Sequence, residues 1–195
     1  EYVQIVINAI NEILNNYNTT ISFDTPYNLR SGNDYEFNKL IKDINNDNVG
    51  AVIFLNCNPI YDHAQGSIIS NKINDIPLSI STSDRMDETA SKVKVIAPDN
   101  HYLESWNDYE PIQGFFSFSQ PTISKLFNTR QSQESLLKWS EDDSDYFDFM
   151  KSNWKKLSKS EGINTNFQIF WDQCLHDGFY ELKDIKRFNL KSKIS

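Results

Sequence analysis

The sequence predicts an α/β fold in which helices cover a mainly parallel sheet, with an aromatic-rich excursion and a helical C-terminal extension after it. Three observations lead there. The stretch VGAVIFLNCNPIYD, Val49 to Asp62, holds five unbroken apolar residues, Ala51 to Leu55, and then turns at once into Asn-Cys-Asn-Pro. A run this short and this apolar reads as a strand buried on both faces, central in a parallel sheet. Strand-like and helix-like segments alternate as far as Pro98, the pattern of βαβ units. Beyond Pro98 both periods lapse, aromatic residues crowd together, and helical spacing resumes only near residue 133.

The elements follow in order. Ile5, Val6, Ala9, Ile10, Ile13 and Leu14 lie at helical spacing and predict an amphipathic helix over 2–16, ended by Asn15-Asn16. Residues 19–23 form a short β-prone run closed by Asp24-Thr25-Pro26. Ser31-Gly32-Asn33-Asp34 supplies helix-start chemistry ahead of Phe37, Leu40, Ile41 and Ile44. After the central strand come a helix over 64–73, a strand over 77–81, a helical turn over 87–91 and a fourth strand over 93–97, stopped by Pro98. The segment 101–129 has no clean period. It is expected to be a long ordered excursion wrapped over the sheet, because aromatics this dense require burial. Helices are expected over 133–139, 146–157 and 166–175, and the Lys-rich end from Lys183 is expected to be frayed or extended. The α/β portion therefore spans 1–130 and the helical extension 131–195.

With 195 residues, 38% hydrophobic and 24% charged, the chain can build one good core. A net charge of −8 with no basic cluster argues against nucleic acid, where Lys and Arg must neutralise phosphates. No apolar run approaches membrane-spanning length. The chain opens Glu-Tyr-Val without an initiator Met or a signal-like segment, and is read as a piece of a longer polypeptide. Cys57 and Cys174 stand far apart with no CxxC motif, so neither a zinc site nor a cluster held by this chain alone is expected; two buried thiols are expected rather than a disulfide.

The residues that could carry chemistry each have a plain structural reading. Asn56, Asn58 and Pro59 lie just past a strand's carboxyl end, where open α/β sheets bind ligands. Their amides, with free backbone N–H groups ahead of the next helix, would suit a phosphate; Asn and Pro are also ordinary turn formers. A glycine-rich fingerprint is absent, which disfavours NAD. Asp87, Glu88 and Thr89 could accept from a ribose or a guanine, but locally they read as a helix start. His101 and Glu104, three apart, and Asp62-His63 lack a third metal ligand. No GxSxG, P-loop or HExxH motif occurs. No catalytic residue and no metal ligand is expected.

Three segments together resemble a known family. The stretch from Ile53 through Asn56-Cys57-Asn58-Pro59 to Asp62 resembles the "G-x-NP-x-Y/D" strand and loop of molybdopterin oxidoreductases of the dimethyl-sulfoxide-reductase type. Asp87-Glu88-Thr89-Ala90, then Val95-Ile96-Ala97-Pro98 and Glu104, resembles their "ETA…ADVVLP…E" segment. The pattern "HYLESWxD…QPTIxxLFxTR", from His101 to Arg130, with Phe170-Trp171 and Leu175-His176-Asp177-Gly178 at the end, is more particular. It is similar to the subunit of bacterial alternative complex III that combines iron–sulfur and molybdopterin-like domains.

The resemblance implies a Rossmann-like domain that, in the wider family, helps hold a pterin guanine dinucleotide. Asn56, Asn58, Pro59, Asp87, Glu88, Thr89 and Glu104 are the inherited cofactor positions. Lys92-Val93-Lys94 replaces the family's Ala-Asp, and Asn56 stands where a small residue is usual. The alternative complex III branch is thought to have lost the molybdenum cofactor while keeping the fold. The fragment is thus expected to hold no cofactor and to act as a scaffold around iron–sulfur clusters carried elsewhere in the parent. Its implied partners are other domains of that parent and other subunits of a membrane-associated respiratory complex, at the periplasmic face of the bacterial inner membrane. The alternatives are a working cofactor-holding domain of a molybdenum enzyme and a non-catalytic docking module.

Overall fold

A computed structural model describes residues 2–30 and 32–183. The chain is mixed α/β. Its elements are α1 (Tyr2–Ile13), α2 (Asp34–Asn45), β1 (Ala51–Phe54), α3 (Pro59–Asp62), α4 (Gly66–Lys72), β2 (Leu78–Ser81) and β3 (Val95–Ile96). There follow a single 3₁₀ turn at Tyr102–Glu104, β4 (Asn107–Ile112), β5 (Phe115–Ser119), α5 (Ser132–Trp139), α6 (Tyr146–Ser160), α7 (Phe167–Asp177) and β6 (Phe179–Glu181). The strands form one parallel sheet, β1-β2-β3, and one sheet in the order β4-β5-β6, in which β5 and β6 run antiparallel. The chain gathers into two compact units, one of residues 32–107 and 119–156, the other of 2–30, 108–118 and 157–183.

The first unit holds the parallel sheet. Asn33 caps α2 by accepting from the Tyr35 and Glu36 amides, and α2 then places Ile41 and Ile44 on one side. These pack with Phe54 of β1, Ile69 of α4, and Ile73 and Ile76 beyond it, all at most 4% exposed. At about 2–3 kcal/mol per large buried aliphatic side chain, this isoleucine cluster is the main cohesive term of the unit. Gly66 lets α4 follow α3 closely: a Cβ there would lie 2.2 Å from the Ile60 carbonyl oxygen. In the same unit Met150 and Trp154 of α6 are buried, and Phe147 packs on Trp106 with ring centres 4.6 Å apart.

The second unit is built on aromatic contacts. Gly114, with φ of +81°, turns the chain between β4 and β5. Phe115 stacks on Phe179 across the β5–β6 pair, and Phe170 of α7 meets Tyr180 edge-on at 5.1 Å. Helix α7 ends at Gly178, which adopts the left-handed conformation and donates to the Cys174 carbonyl. Helix α1 has no buried residue.

Several expectations need correction. The apolar run is not central: β2 is the middle strand and β1 an edge, with Phe54 buried but Ile53 42% exposed. An unbroken aliphatic run registers what could be buried on two faces, and only one face of β1 is covered. Residues 19–23 form no strand; Asn15 and Asn18 take left-handed conformations and fold the chain into a turn closed by one Tyr17–Ile21 bridge. The helix expected over 64–73 starts at Gly66, after the separate short α3. The fourth strand shrinks to Val95–Ile96. The excursion contains a regular β-hairpin, whose alternation Pro111 and the doubled Phe115-Phe116 obscured. Cys174 is buried as expected and Cys57 is exposed; both are free thiols. The Lys-rich end beyond Lys183 lies outside the described residues.

Candidate functional site

The carboxyl ends of all three parallel strands deliver polar side chains to one edge of the first unit. Past β1 the chain turns at Asn56, whose φ of +47° is a left-handed value that Asn tolerates better than most residues. The Asn56 amide N–H donates to Thr82 Oγ1 at 3.0 Å, and the Thr82 hydroxyl donates to Asn56 Oδ1 at 3.1 Å. Thr82 stands just past β2 and is fully buried. Asn56 Nδ2 donates to Asp99 at 2.9 Å, and Asp99 follows the Ala97-Pro98 stop of β3. The Asp99 carboxylate also accepts the Asn100 N–H at 2.7 Å, the Ser132 N–H at 2.9 Å and the Ser132 hydroxyl. It therefore serves as the cap of α5 from a distance in sequence. Nearby, Thr129 donates to the Asn100 side chain at 2.7 Å.

A second knot surrounds Asn58. Its Oδ1 accepts the Thr89 hydroxyl at 2.7 Å and the Thr89 N–H at 3.1 Å, and its Nδ2 donates to Glu88 at 2.7 Å. Thr89 in turn accepts the Ile60 N–H, while the Tyr61 and Asp62 amides donate to the Asn58 carbonyl. Asp87 accepts the Ala90 N–H at 2.7 Å and so caps its own helical turn. Ahead of α4, the Gln65 N–H donates to His63 Nδ1 and the Gly66 N–H to the His63 carbonyl. The Asn56, Ile60, Tyr61, Asp62, Gln65 and Gly66 N–H groups around the loop are thus engaged within the chain.

Glu104 is buried because both carboxylate oxygens are used inside the chain, one locally and one 22 positions away. One carboxylate oxygen accepts the His101 N–H at 2.9 Å and the other the Leu126 N–H at 2.7 Å, while His101 Nδ1 accepts from Leu103. The His101–Glu104 spacing is thus a capping box around the 3₁₀ turn. Among the described residues no group of three or more His, Cys, Asp or Glu is placed to hold a metal.

Beside the Asn58 loop, a cavity of about 540 Å³ opens between α3 and the start of α2. Phe37, Leu40 and Pro59 form its apolar part; Asp34, Glu36 and Asp62 supply carboxylates; Cys57 and His63 complete the wall, and no Lys or Arg lines it. His63 packs on Phe37 at 4.6 Å. Desolvation, then the Asp62 and Asp87 carboxylates, push the Cys57 thiol above its ordinary range although the residue is exposed. The electrostatics suit neither a pyrophosphate nor a reactive thiolate.

The structure joins Asn58 and Pro59 to Glu88 and Thr89, and Asn56 to Asp99. It gives Asp87 and Glu104 separate capping roles. Sequence reasoning missed Thr82, Asp99 and Ser132. A signal existed for two of them: Thr82 and Asp99, like Asn56, stand one to three residues past the end of a strand. Nothing local marked Ser132, whose role depends on a contact 33 positions away. No family model matches the chain, and no curated protein matches it.

Proposed function

We propose that the chain is a non-catalytic, Rossmann-like scaffold domain of a molybdopterin-oxidoreductase-like subunit, in a respiratory quinol-oxidising complex of the alternative complex III type. The observation that carries this reading is the closed state of the inherited cofactor loop. Asn58 uses its carbonyl oxygen on Thr89 and an amide hydrogen on Glu88, and Asn56 is tied to Thr82 and Asp99. The cavity beside them presents carboxylates and no cation. A guanine dinucleotide bears phosphates, and binding it here would bring like charges together and break hydrogen bonds that are exposed or partly buried, at about 0.5–1.5 kcal/mol each. The residues present do not fit that cofactor.

In this reading the domain shapes its parent around iron–sulfur clusters held elsewhere in that polypeptide, on the periplasmic face of the inner membrane, and contacts neighbouring subunits. Among the described residues no helix is long and apolar enough to cross a membrane. The test is elemental and pterin analysis of the full-length parent purified from its own complex. Iron with neither molybdenum nor pterin is expected. Stoichiometric pterin and molybdenum would favour the working-enzyme alternative, and absence of iron as well would remove the electron-transfer assignment.

A further inference from the structure

The cavity between α2 and α3 lies wholly within the first unit, and its wall is of two kinds. Phe37 and Leu40 of α2 and Pro59 of α3 make one side apolar. Phe37 and Leu40 also pack against the isoleucine cluster, so this side is backed by the core and is preformed. A volume of about 540 Å³ falls inside the roughly 300–1,000 Å³ of small-molecule sites.

The other side carries Asp34, Glu36 and Asp62. Among the described residues none of these three carboxylates has an ion-pair or hydrogen-bond partner, whereas Asp47, Asp84 and Asp143 each hold a Lys or Arg. No Lys or Arg lines the cavity. His63 adds no charge either: its Nδ1 accepts the Gln65 N–H at 3.1 Å, which only the neutral ring can do. The helix dipole favours Asp34 and Glu36 in the first turn of α2. It gives no such reason for Asp62, the last residue of α3. Desolvation first, and then the Asp62 and Asp87 carboxylates, hold the proton on the Cys57 thiol in the same wall. The negative potential thus reaches into the cavity.

We propose that this cavity binds a small organic cation, a primary amine on a hydrocarbon body. The body lies against Phe37, Leu40 and Pro59, and the ammonium sits among Asp34, Glu36 and Asp62. Each part needs the other: exposed carboxylates alone attract an ion weakly, and the apolar side alone sets no sign. An anion is repelled. A bare metal ion is a poorer occupant, because among the described residues no three His, Cys, Asp or Glu side chains are placed to hold one. The inference goes beyond the scaffold reading and stands without it.

The test is NMR titration of the 195-residue chain with phenethylamine and hexylamine, at neutral pH and about 50 mM salt. Both amines should shift the Phe37, Leu40, Cys57 and His63 amides saturably, with dissociation constants of about 1 mM or below. Phenethyl alcohol, the same body without the charge, should bind about fivefold more weakly, and phenylacetate should not bind. Asp34→Asn combined with Asp62→Asn changes two exposed side chains. That variant should still melt cooperatively and lose about fivefold in affinity for the amines, as should the unaltered chain at about 0.5 M salt. Absence of saturable shifts with either amine overturns the proposal. So do three other results: equal binding of the alcohol, which leaves only an apolar void; affinity untouched by both the double substitution and salt; and displacement of the amine by an equal concentration of calcium, which reassigns the carboxylates to a metal.

Discussion

Asn58 and Thr89, 31 positions apart, are joined twice: the Thr89 hydroxyl and N–H both donate to Asn58 Oδ1, at 2.7 and 3.1 Å. Thr89 is completely buried and also accepts the Ile60 amide. Removing the Asn58 amide would strand buried donors that have no water to turn to. Asn58→Ala is expected to destabilise the chain by about 1–3 kcal/mol in urea unfolding. An unchanged midpoint would mean that the loop is not a structural tie.

Asp99 gathers Asn56, Asn100 and Ser132 through four hydrogen bonds. Because it caps α5 as well as closing the β1 loop, Asp99→Ala should cost more than an ordinary surface change, about 2–4 kcal/mol. Circular dichroism should report lost helix with lost stability. A two-state melt within about 0.5 kcal/mol of wild type contradicts the network.

The two isoleucines paired across the parallel sheet should respond differently to the same charge. Ile53 sits on the edge strand at 42% exposure, and Ile80 in the middle strand at 8%. Ile53→Asp in the 195-residue chain is expected to leave a cooperative fold, weakened by about 1 kcal/mol. Ile80→Asp buries an unpaired carboxylate and should unfold it, since several kcal/mol rivals the whole margin of about 5–15 kcal/mol. Equal effects would place Ile53 in the interior.

The two thiols give a pH signature. Burial, then the Asp177 carboxylate, push Cys174 from an ordinary 9.0 up to about 11. A raised acid pKa in the folded state means that the folded chain holds its proton where the unfolded chain loses it. The contribution is complete below pH 9 and is lost as pH climbs from 9 to 11, by of order 2 kcal/mol. At pH 8 a thiol reagent should modify exposed Cys57 slowly and Cys174 only after unfolding. Rapid modification of both would contradict the packing of α7.

How much of this was legible in the sequence depends on the range of the cause. The α2 start was readable because Asn33 caps the helix within its own turn. The three C-terminal helices were readable from spacing, and β2 from its short run. The edge position of β1 was not, because apolarity records a capacity for burial and the covering element is not local. The β4–β5 hairpin was hidden by Pro111 and the doubled phenylalanines, and β6 lies far along the chain from its partner β5. In the site, the cap that Asp87 forms and the His101 half of Glu104's role could be anticipated from capping patterns, whereas Glu104's bond to the Leu126 N–H, 22 positions away, could not. The ties from Asn56 to Asp99 and from Asn58 to Thr89 join strand ends that only the folded sheet brings together.

The most direct test of the closed loop is isothermal calorimetry of the 195-residue chain with GDP, which carries the guanine and pyrophosphate of the cofactor that the proposed function excludes. The account predicts no binding tighter than about 1 mM, roughly 4 kcal/mol of free energy. A micromolar dissociation constant that Asn58→Ala abolishes without unfolding the chain would contradict it, because the Asn58 loop would then be gripping a nucleotide rather than closing on itself.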